Sequence, residues 1–236
     1  MTVCSRAGSK PRVRILPILL IFLIFPFLIP GALRVIIPVA RAATSGVISV
    51  DFVGSGTPMG AAESAGVVPK TNWNSATGAN RTTPLALKDE TGAATTATIT
   101  WTSDNAWSTP ITEQPGNRRL MKGYLDQGSQ RATTVTVAGL PMAAYDVYVY
   151  VDGDNAAVTR TGAYRISGTG ITTTTINLTD AANTNFNAAF TQANNSAGNY
   201  VKFSINASGF TLTATPGTAS SGPLRAPVNG IQIVPQ

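Results

Sequence analysis

Apolar and polar residues alternate one by one in several short stretches of the chain. Apolar side chains occupy every second position of residues 48–52, 97–101 and 135–137. The same pattern recurs farther along, at residues 145–151, 201–205, 210–212 and 231–233. A period of two predicts β-strands with one buried face, and no long stretch shows the 3.6-residue period of a helix. We expect about ten strands, because turns rich in Gly, Pro, Asn and Asp separate the runs.

The regular spacing of strands and turns favours an all-β fold, an antiparallel two-sheet β-sandwich. A closed β-barrel is the competing arrangement, and the pattern alone does not separate the two. Residues 43–236 suit one sizeable domain. Residues 43–46 and 54–66 lack the alternation, and we expect them to be disordered.

The first 42 residues have a different composition. Residues 1–14 contain four basic side chains, and the nineteen residues 15–33 contain no charge. Ala40 and Ala42 place small residues where a signal peptidase cleaves, so we predict a signal peptide over residues 1–42. An uncleaved membrane anchor is the alternative, because nineteen apolar residues can span a bilayer. In either case the remainder is expected outside the cytoplasm, secreted, periplasmic or at the cell surface.

Charged and reactive side chains are unevenly distributed. The chain contains 17 Lys and Arg against 11 Asp and Glu, and six of the basic residues precede residue 43. The remainder is therefore neutral and lacks the basic surface of a nucleic-acid-binding protein. The chain has no His, and its single cysteine, Cys4, lies in the leader. Thiol and imidazole nucleophiles, His-dependent serine triads and ordinary zinc sites are excluded for the remainder.

Aromatic side chains are the first candidates for ligand binding, because a flat ring offers a large apolar surface to a sugar. Trp101 alternates with the apolar residues of its strand, so we assign it to the core. Trp107 lies in a polar stretch, and Trp73 lies between two asparagines. Each of these two either binds a ligand or folds over the core.

Tyr148 and Tyr150 alternate with valines and therefore point to the opposite face of their strand. They form an exposed binding platform if that face is open. They pack beneath a loop if that face is covered.

Charged residues supply the remaining candidates. Asp152 and Asp154 lie in an oxygen-rich turn that suggests a calcium loop, but the spacing is not that of an EF-hand, and a hairpin turn explains them more simply. Arg118 belongs to the densest basic cluster and is either a ligand contact or a solvated loop residue.

Several segments resemble a known family. The sequence GLPMAAYDVYVY at residues 139–150 is similar to the central strand entry of galactose-binding-like jelly-roll domains, which occur in secreted bacterial proteins beside carbohydrate-active enzymes. The sequence APVNGIQI at residues 226–233 resembles their last strand, and ISVDFVG at residues 48–54 their first. The resemblance implies a two-sheet sandwich whose loops at one end can hold a sugar, and often a structural calcium ion. It includes no ligand-binding motif.

Together these features favour a secreted, non-catalytic β-sandwich module that binds a polysaccharide or a cell-surface glycan. No cofactor other than a structural calcium ion is expected. An extracellular structural or adhesion protein is the alternative, and it predicts buried aromatic side chains and no groove. A carboxylate-dependent polysaccharide-degrading enzyme is a third hypothesis, and it requires two acidic residues that converge in a cleft. The candidate contacts are Trp73, Trp107, Tyr148, Tyr150 and Arg118 for the ligand, and Asp152 and Asp154 for calcium.

Overall fold

The computed structural model describes residues 46–128 and 130–236, and the predicted leader lies outside this part. The described part is mostly β-structure with a single four-residue helix, which confirms the all-β class. Within it, no helix has the length and apolar character to cross a membrane. The elements are β1 Ile48–Phe52, β2 Asn74–Ala76, β3 Asn80–Lys88, β4 Ala94–Thr102, β5 Asn105–Ser108, α1 Asn117–Leu120, β6 Gly123–Asp126, β7 Thr133–Tyr150, β8 Arg160–Ser167, β9 Thr174–Asp180, β10 Ser196–Ala197, β11 Tyr200–Ala219 and β12 Gly230–Pro235.

The two longest strands, β7 and β11, lie side by side at the centre of the main sheet. The strand order is β10-β9-β8-β11-β7-β12-β1-β2, and β3 joins the sheet through β4. The first half of β7 pairs with β4, whereas its second half pairs with β12. Strand β7 therefore belongs to two different parts of the sheet. Strands β5 and β6 form a separate small sheet.

An irregularity separates the two halves of the β7–β11 pair. Ala207 lies opposite Ala143, but Gly209 lies opposite Ala138. Residues 139–142 of β7 therefore bulge out of the pairing. Because a bulge bends a sheet, the two halves can turn toward each other.

The two halves of the sheet share one hydrophobic core. Phe52 of β1 meets Trp101 of β4 edge to face, with ring centroids 5.7 Å apart. Val149, beside β12, and Val135, beside β4, are both fully buried in the same core. This arrangement is compatible with a β-sandwich, and Trp101 lies in the core as predicted.

The pairing is mixed rather than wholly antiparallel, which corrects the prediction. Strand β1 pairs parallel with β2, and β9 pairs parallel with β10. In both cases a long connection precedes the second strand, and parallel neighbours require such a crossover.

The outer face of β1 is also buried, so the expectation of one buried face is wrong for this strand. Ser49 and Asp51, on the polar positions of β1, are 2% and 1% exposed. Residues 54–66, which we expected to be disordered, contribute Met59 and Ala65 to a second buried cluster on the other side of the sheet from the main core. The composition of this segment did not indicate that it covers the outer face of β1.

The hairpin turn expected at residues 152–155 is absent from the described structure. Strands β7 and β8 flank this segment, but β11 lies between them in the sheet. The segment is therefore a connection between distant strands.

Candidate functional site

Strands β7 and β9 end near each other, and an aspartate follows or closes each strand. Asp152 comes two residues after β7, and Asp180 is the last residue of β9. Asp152 N donates to Asn229 Oδ1 at 2.6 Å, and Asn155 Nδ2 donates to Ala181 O at 2.7 Å. The first bond holds the segment after β7 against the residue before β12, and the second holds it against the segment after β9. Asp152 and Asp180, here the aspartate pair, line a cavity of about 270 Å³, here the polar cavity.

Neutral amide side chains line the polar cavity, and no Lys or Arg of the described part does. Asn199 is used structurally, because its Oδ1 accepts from Thr191 N and its Nδ2 donates to a backbone carbonyl. Asn187 uses only its Oδ1, which accepts from Ala189 N at 3.2 Å. Asn185 makes no side-chain hydrogen bond to any described residue. Asn185 and the Nδ2 group of Asn187 are therefore available to a ligand.

An aromatic stack supports one wall of the polar cavity. Phe186 lines the cavity, and its ring lies 5.0 Å from that of Phe190. Phe190 in turn packs on Tyr150 at 5.2 Å, and Tyr150 packs on Trp73 at 6.1 Å. The wall is thus continuous with the second buried cluster. Packing against this cluster, in addition to the loop, therefore fixes the position of the cavity wall.

The carboxyl groups of the aspartate pair are difficult to ionise. Burial raises the pKa of Asp152 to about 7, although the Phe186 N–H opposes this shift. Burial also raises the pKa of Asp180 to about 8, and the negative charge of Asp152 adds to the increase. Because the charge of one carboxylate disfavours ionisation of the other, the pair keeps a proton to higher pH than an isolated aspartate does.

Few donors satisfy the aspartate pair. Phe186 N donates to Asp152 Oδ2 at 2.9 Å. The Gly153 N–H faces both carboxyl groups and lies 3.4 Å from Asp180 Oδ2. No ion pair within the described residues involves either aspartate. The pair therefore has unused acceptor capacity at the cavity.

Three of the four predicted aromatic contacts are buried. Trp73 is 6% exposed, and its Nε1 donates to Lys70 O at 2.8 Å. Tyr150 is fully buried, and its hydroxyl donates to Gln232 Oε1 and accepts from Val67 N. Tyr148 is 9% exposed. The face that the tyrosines occupy is covered, so an exposed tyrosine platform is absent from the described structure.

Trp107, in contrast to these three residues, is exposed. It lies on β5 and its side chain is 49% exposed, whereas Trp73 belongs to the second buried cluster. The two indoles therefore do not form one binding surface. Trp107 does not line the polar cavity.

The remaining candidates lie outside the polar cavity. Arg118 is half-buried in α1 and is not among the cavity residues. The side chain of Asp154 is exposed, so Asp152 shares its cavity with Asp180 instead of with Asp154. No group of three or more His, Cys, Asp or Glu side chains within residues 46–128 and 130–236 is arranged to hold a metal ion.

The sequence did not single out Asp180, Asn185 or Phe186. Asp180 lies more than twenty residues after Asp152, and only the sheet order brings the two together. The one local signal is the stretch DAANTNFN at residues 180–187, where asparagines surround a single aromatic residue.

A second acidic cluster lies beneath the segment that covers β1. Arg119 contacts Glu63 and donates from Nε to Glu113 Oε1 at 2.9 Å. Asp51 is buried beside them, and both burial and the charge of Glu63 raise its pKa well above the usual value. The Met59 N–H near Asp51 donates to Ser75 Oγ instead. Because Arg119 pairs with both glutamates and Asp51 is sealed, this cluster joins elements rather than receiving a ligand.

Comparisons of the chain with family models, with curated proteins and with solved structures found no match. The resemblance to galactose-binding-like domains therefore stays a prediction. The aspartate pair and its cavity are the basis for a functional proposal.

Proposed function

We propose that this protein is a secreted carbohydrate-binding module whose ligand site is the polar cavity. The observation that carries the proposal is a cavity of about 270 Å³ with carboxyl, amide and aromatic groups on its walls. Pockets for drug-sized ligands measure about 300–1,000 Å³, so this one suits a single sugar unit. Secretion and a jelly-roll fold belong to the same proposal and rest on the leader pattern and the sequence resemblance.

The chemistry of the walls supports a polyhydroxylated ligand. Hydroxyl groups of a sugar both donate and accept, and Asn185 offers both functions on one side chain. The carboxyl oxygens of the aspartate pair accept strong hydrogen bonds from such hydroxyls. Phe186 is 3% exposed, so it supports the wall by packing, and the carboxyl and amide groups make the contacts with the ligand.

Isothermal titration of the full chain against a panel of soluble polysaccharides and oligosaccharides tests the proposal. We expect at least one glycan to bind and Asn185→Ala to weaken its binding at least fivefold. Asn194→Ala is the matched control, because Asn194 is also exposed and does not line the cavity. Absence of binding throughout the panel contradicts the proposal, as does an equal loss in both variants.

A second candidate function is carboxylate-dependent hydrolysis of a polysaccharide. It is favoured by the convergence of Asp152 and Asp180 in one cavity, which the enzyme hypothesis requires. A carboxyl group with a raised pKa can serve as a general acid near neutral pH. Release of reducing sugar that is abolished in both Asp152→Asn and Asp180→Asn supports this candidate. Glycan binding without any product supports the non-catalytic module.

The structural or adhesion alternative expected buried aromatic side chains and no groove. Burial of Trp73, Tyr148 and Tyr150 fits that expectation, whereas the polar cavity does not. The titration distinguishes the two, because only a ligand-binding module loses affinity when the cavity is altered.

A further inference from the structure

The aspartate pair is buried and has no cationic partner in the described part of the chain. Asp152 is 3% exposed and Asp180 is 8% exposed. By contrast, two other carboxylates with low exposure are ion-paired, Asp126 with Arg225 at 2.6 Å and Asp146 with Lys202 at 2.7 Å. Buried charges are normally paired, because an unpaired one loses its hydration without compensation. We therefore expect the aspartate pair to bind a positively charged group of a ligand.

Neighbouring charged and titratable groups do not supply that partner. Arg160 faces Asp180 from β8, but its guanidinium donates to Pro223 O and Asp154 O. Tyr164, also on β8, is fully buried, and its hydroxyl donates to Pro227 O. The open side of the pair is the polar cavity, where Asn185 and Asn187 are the nearest uncommitted polar groups.

We propose that the sugar unit bound in the polar cavity carries a protonated amine, which the aspartate pair binds. The proposal rests on the proposed function and names the class of glycan: a polymer or oligomer of amino sugars with free amino groups. An ammonium group offers three donors to the unused oxygens of Asp152 and Asp180. The hydroxyl groups of the same sugar are left for Asn185.

Charge and ligand number favour an ammonium group over a metal ion. Burial raises the pKa of both carboxyl groups, so near neutral pH the pair carries fewer than two negative charges, which suits one ammonium group better than a divalent ion. A calcium ion takes six to eight oxygen ligands, usually including several carboxylates. The cavity supplies two carboxyl groups, and no group of three or more His, Cys, Asp or Glu side chains among the described residues is arranged to hold a metal ion.

The test compares three ligands of matched length on the full chain by isothermal titration at pH 7.5. They are a β-1,4-glucosamine oligomer with free amines, its N-acetylated form and the corresponding glucose oligomer. We expect the free-amine oligomer to bind at least tenfold more tightly than the other two. We also expect Asp152→Asn and Asp180→Asn to abolish this preference, whereas Asp154→Asn retains it, because Asp154 is exposed outside the cavity.

The outcomes separate this inference from the proposed function. Equal binding of the amine and the glucose oligomers overturns the inference and leaves the carbohydrate module intact. No binding of any of the three, or of the wider panel, contradicts both. In a further experiment, calcium chloride is titrated alone. If calcium binds, if Asp180→Asn loses this binding and if calcium prevents binding of the amine oligomer, the pair is a metal site and the inference is wrong. If both aspartate variants fail to fold, the comparison of the three ligands on the unaltered chain still tests whether the amine is preferred.

Discussion

Asp180 shows how a single buried carboxyl group affects the stability of the whole chain. Its pKa of about 8 in the folded protein lies far above the value of about 3.9 for an unfolded aspartate. Between these values the folded state binds more protons than the unfolded state. The folded state therefore loses stability as the pH rises through that interval.

We predict that Asp180→Asn flattens this dependence on pH. The substitution removes one ionising group and relieves the repulsion that Asp152 experiences. Urea unfolding at pH 5, 7 and 8.5 should show the natural chain losing several kcal/mol over this range, and the variant losing roughly half as much, because Asp152 still titrates. Asp154→Asn, at an exposed position, should keep the slope of the natural chain. A slope that is equal in all three proteins contradicts the assignment.

Two tryptophans that look similar in the sequence should respond differently to truncation. Trp101 is 2% exposed, contacts Phe52 and donates from Nε1 to Gly78 O at 2.9 Å, so Trp101→Ala should cost about 3–5 kcal/mol of unfolding free energy. Trp107 is 49% exposed, and Trp107→Ala should cost under about 1 kcal/mol. Chemical denaturation of both variants measures the difference. Comparable losses would mean that Trp107 is packed against the fold.

The bulge in β7 is the element that allows one sheet to enclose a core. Gly139 begins this bulge with φ +77°, and a Cβ atom there would lie 2.4 Å from Thr96 O. Tyr145 closes the bulge from the other side, since its hydroxyl donates to Pro141 O at 2.8 Å. Both features fix where the strand changes its neighbour from β4 to β12.

Gly139→Ala should therefore destabilise the protein by more than the cost of a positive φ alone. Gly222→Ala is the matched control, because Gly222 has φ +66° and open space around it. We expect about 1 kcal/mol for the control and at least about 2 kcal/mol for Gly139→Ala, because the added methyl group meets backbone. Thermal unfolding of the two variants measures the difference. Equal losses would show that the strand shifts away from Thr96 without cost.

At the scale of the whole molecule, Arg119 connects parts of the chain that are distant in sequence. It contacts Glu63 in the segment that covers β1 and Glu113 before α1, and Asp51 of β1 lies beside them. These groups form one electrostatic unit across β1, its cover and the helix. Removal of the Arg119 charge leaves the carboxyl groups of Asp51, Glu63 and Glu113 close together.

Arg119→Met should destabilise the protein at neutral pH by about 2–4 kcal/mol, somewhat less than a fully buried pair because Arg119 and the glutamates are partly exposed. Arg118→Met is the matched control on the same helix, and it should change the unfolding free energy by under about 0.5 kcal/mol. Arg119→Lys keeps the positive charge, so it should lose clearly less stability than Arg119→Met. A loss of the same size in both variants would mean that packing, not charge, is responsible.

The period-two pattern predicted five of the twelve strands, because that pattern is a local consequence of a pleated backbone with one face in the core, but it did not indicate the long strands β3, β8 and β9. Strands β1, β4, β7, β11 and β12 all include stretches that the alternation indicated. It did not predict that β1 is buried on both faces, since the cover comes from residues 54–73, which have no regular pattern of their own. Polar side chains such as Asp51 gave no sign that another segment would enclose them.

The candidate site was only half predictable for the same reason. Asp152 stood out because it follows a strong strand, but the proposed partner Asp154 points to solvent. Its actual partner, Asp180, ends a different strand, and the choice depends on β8, β9 and β11 lying in a particular order. Aromatic residues attracted attention by their chemistry, yet burial of Trp73 and Tyr150 depends on the loops that cover them.

The sequence by itself determined five of the strands, the core tryptophan and the exclusion of thiol and imidazole chemistry after residue 42, because these follow from composition and from neighbours along the chain. The tertiary structure decided that β7 changes partners, that β1 is covered and that Asp152 meets Asp180. Those outcomes depend on which distant segments pack together, and the free energy that selects them comes from burial across the whole fold.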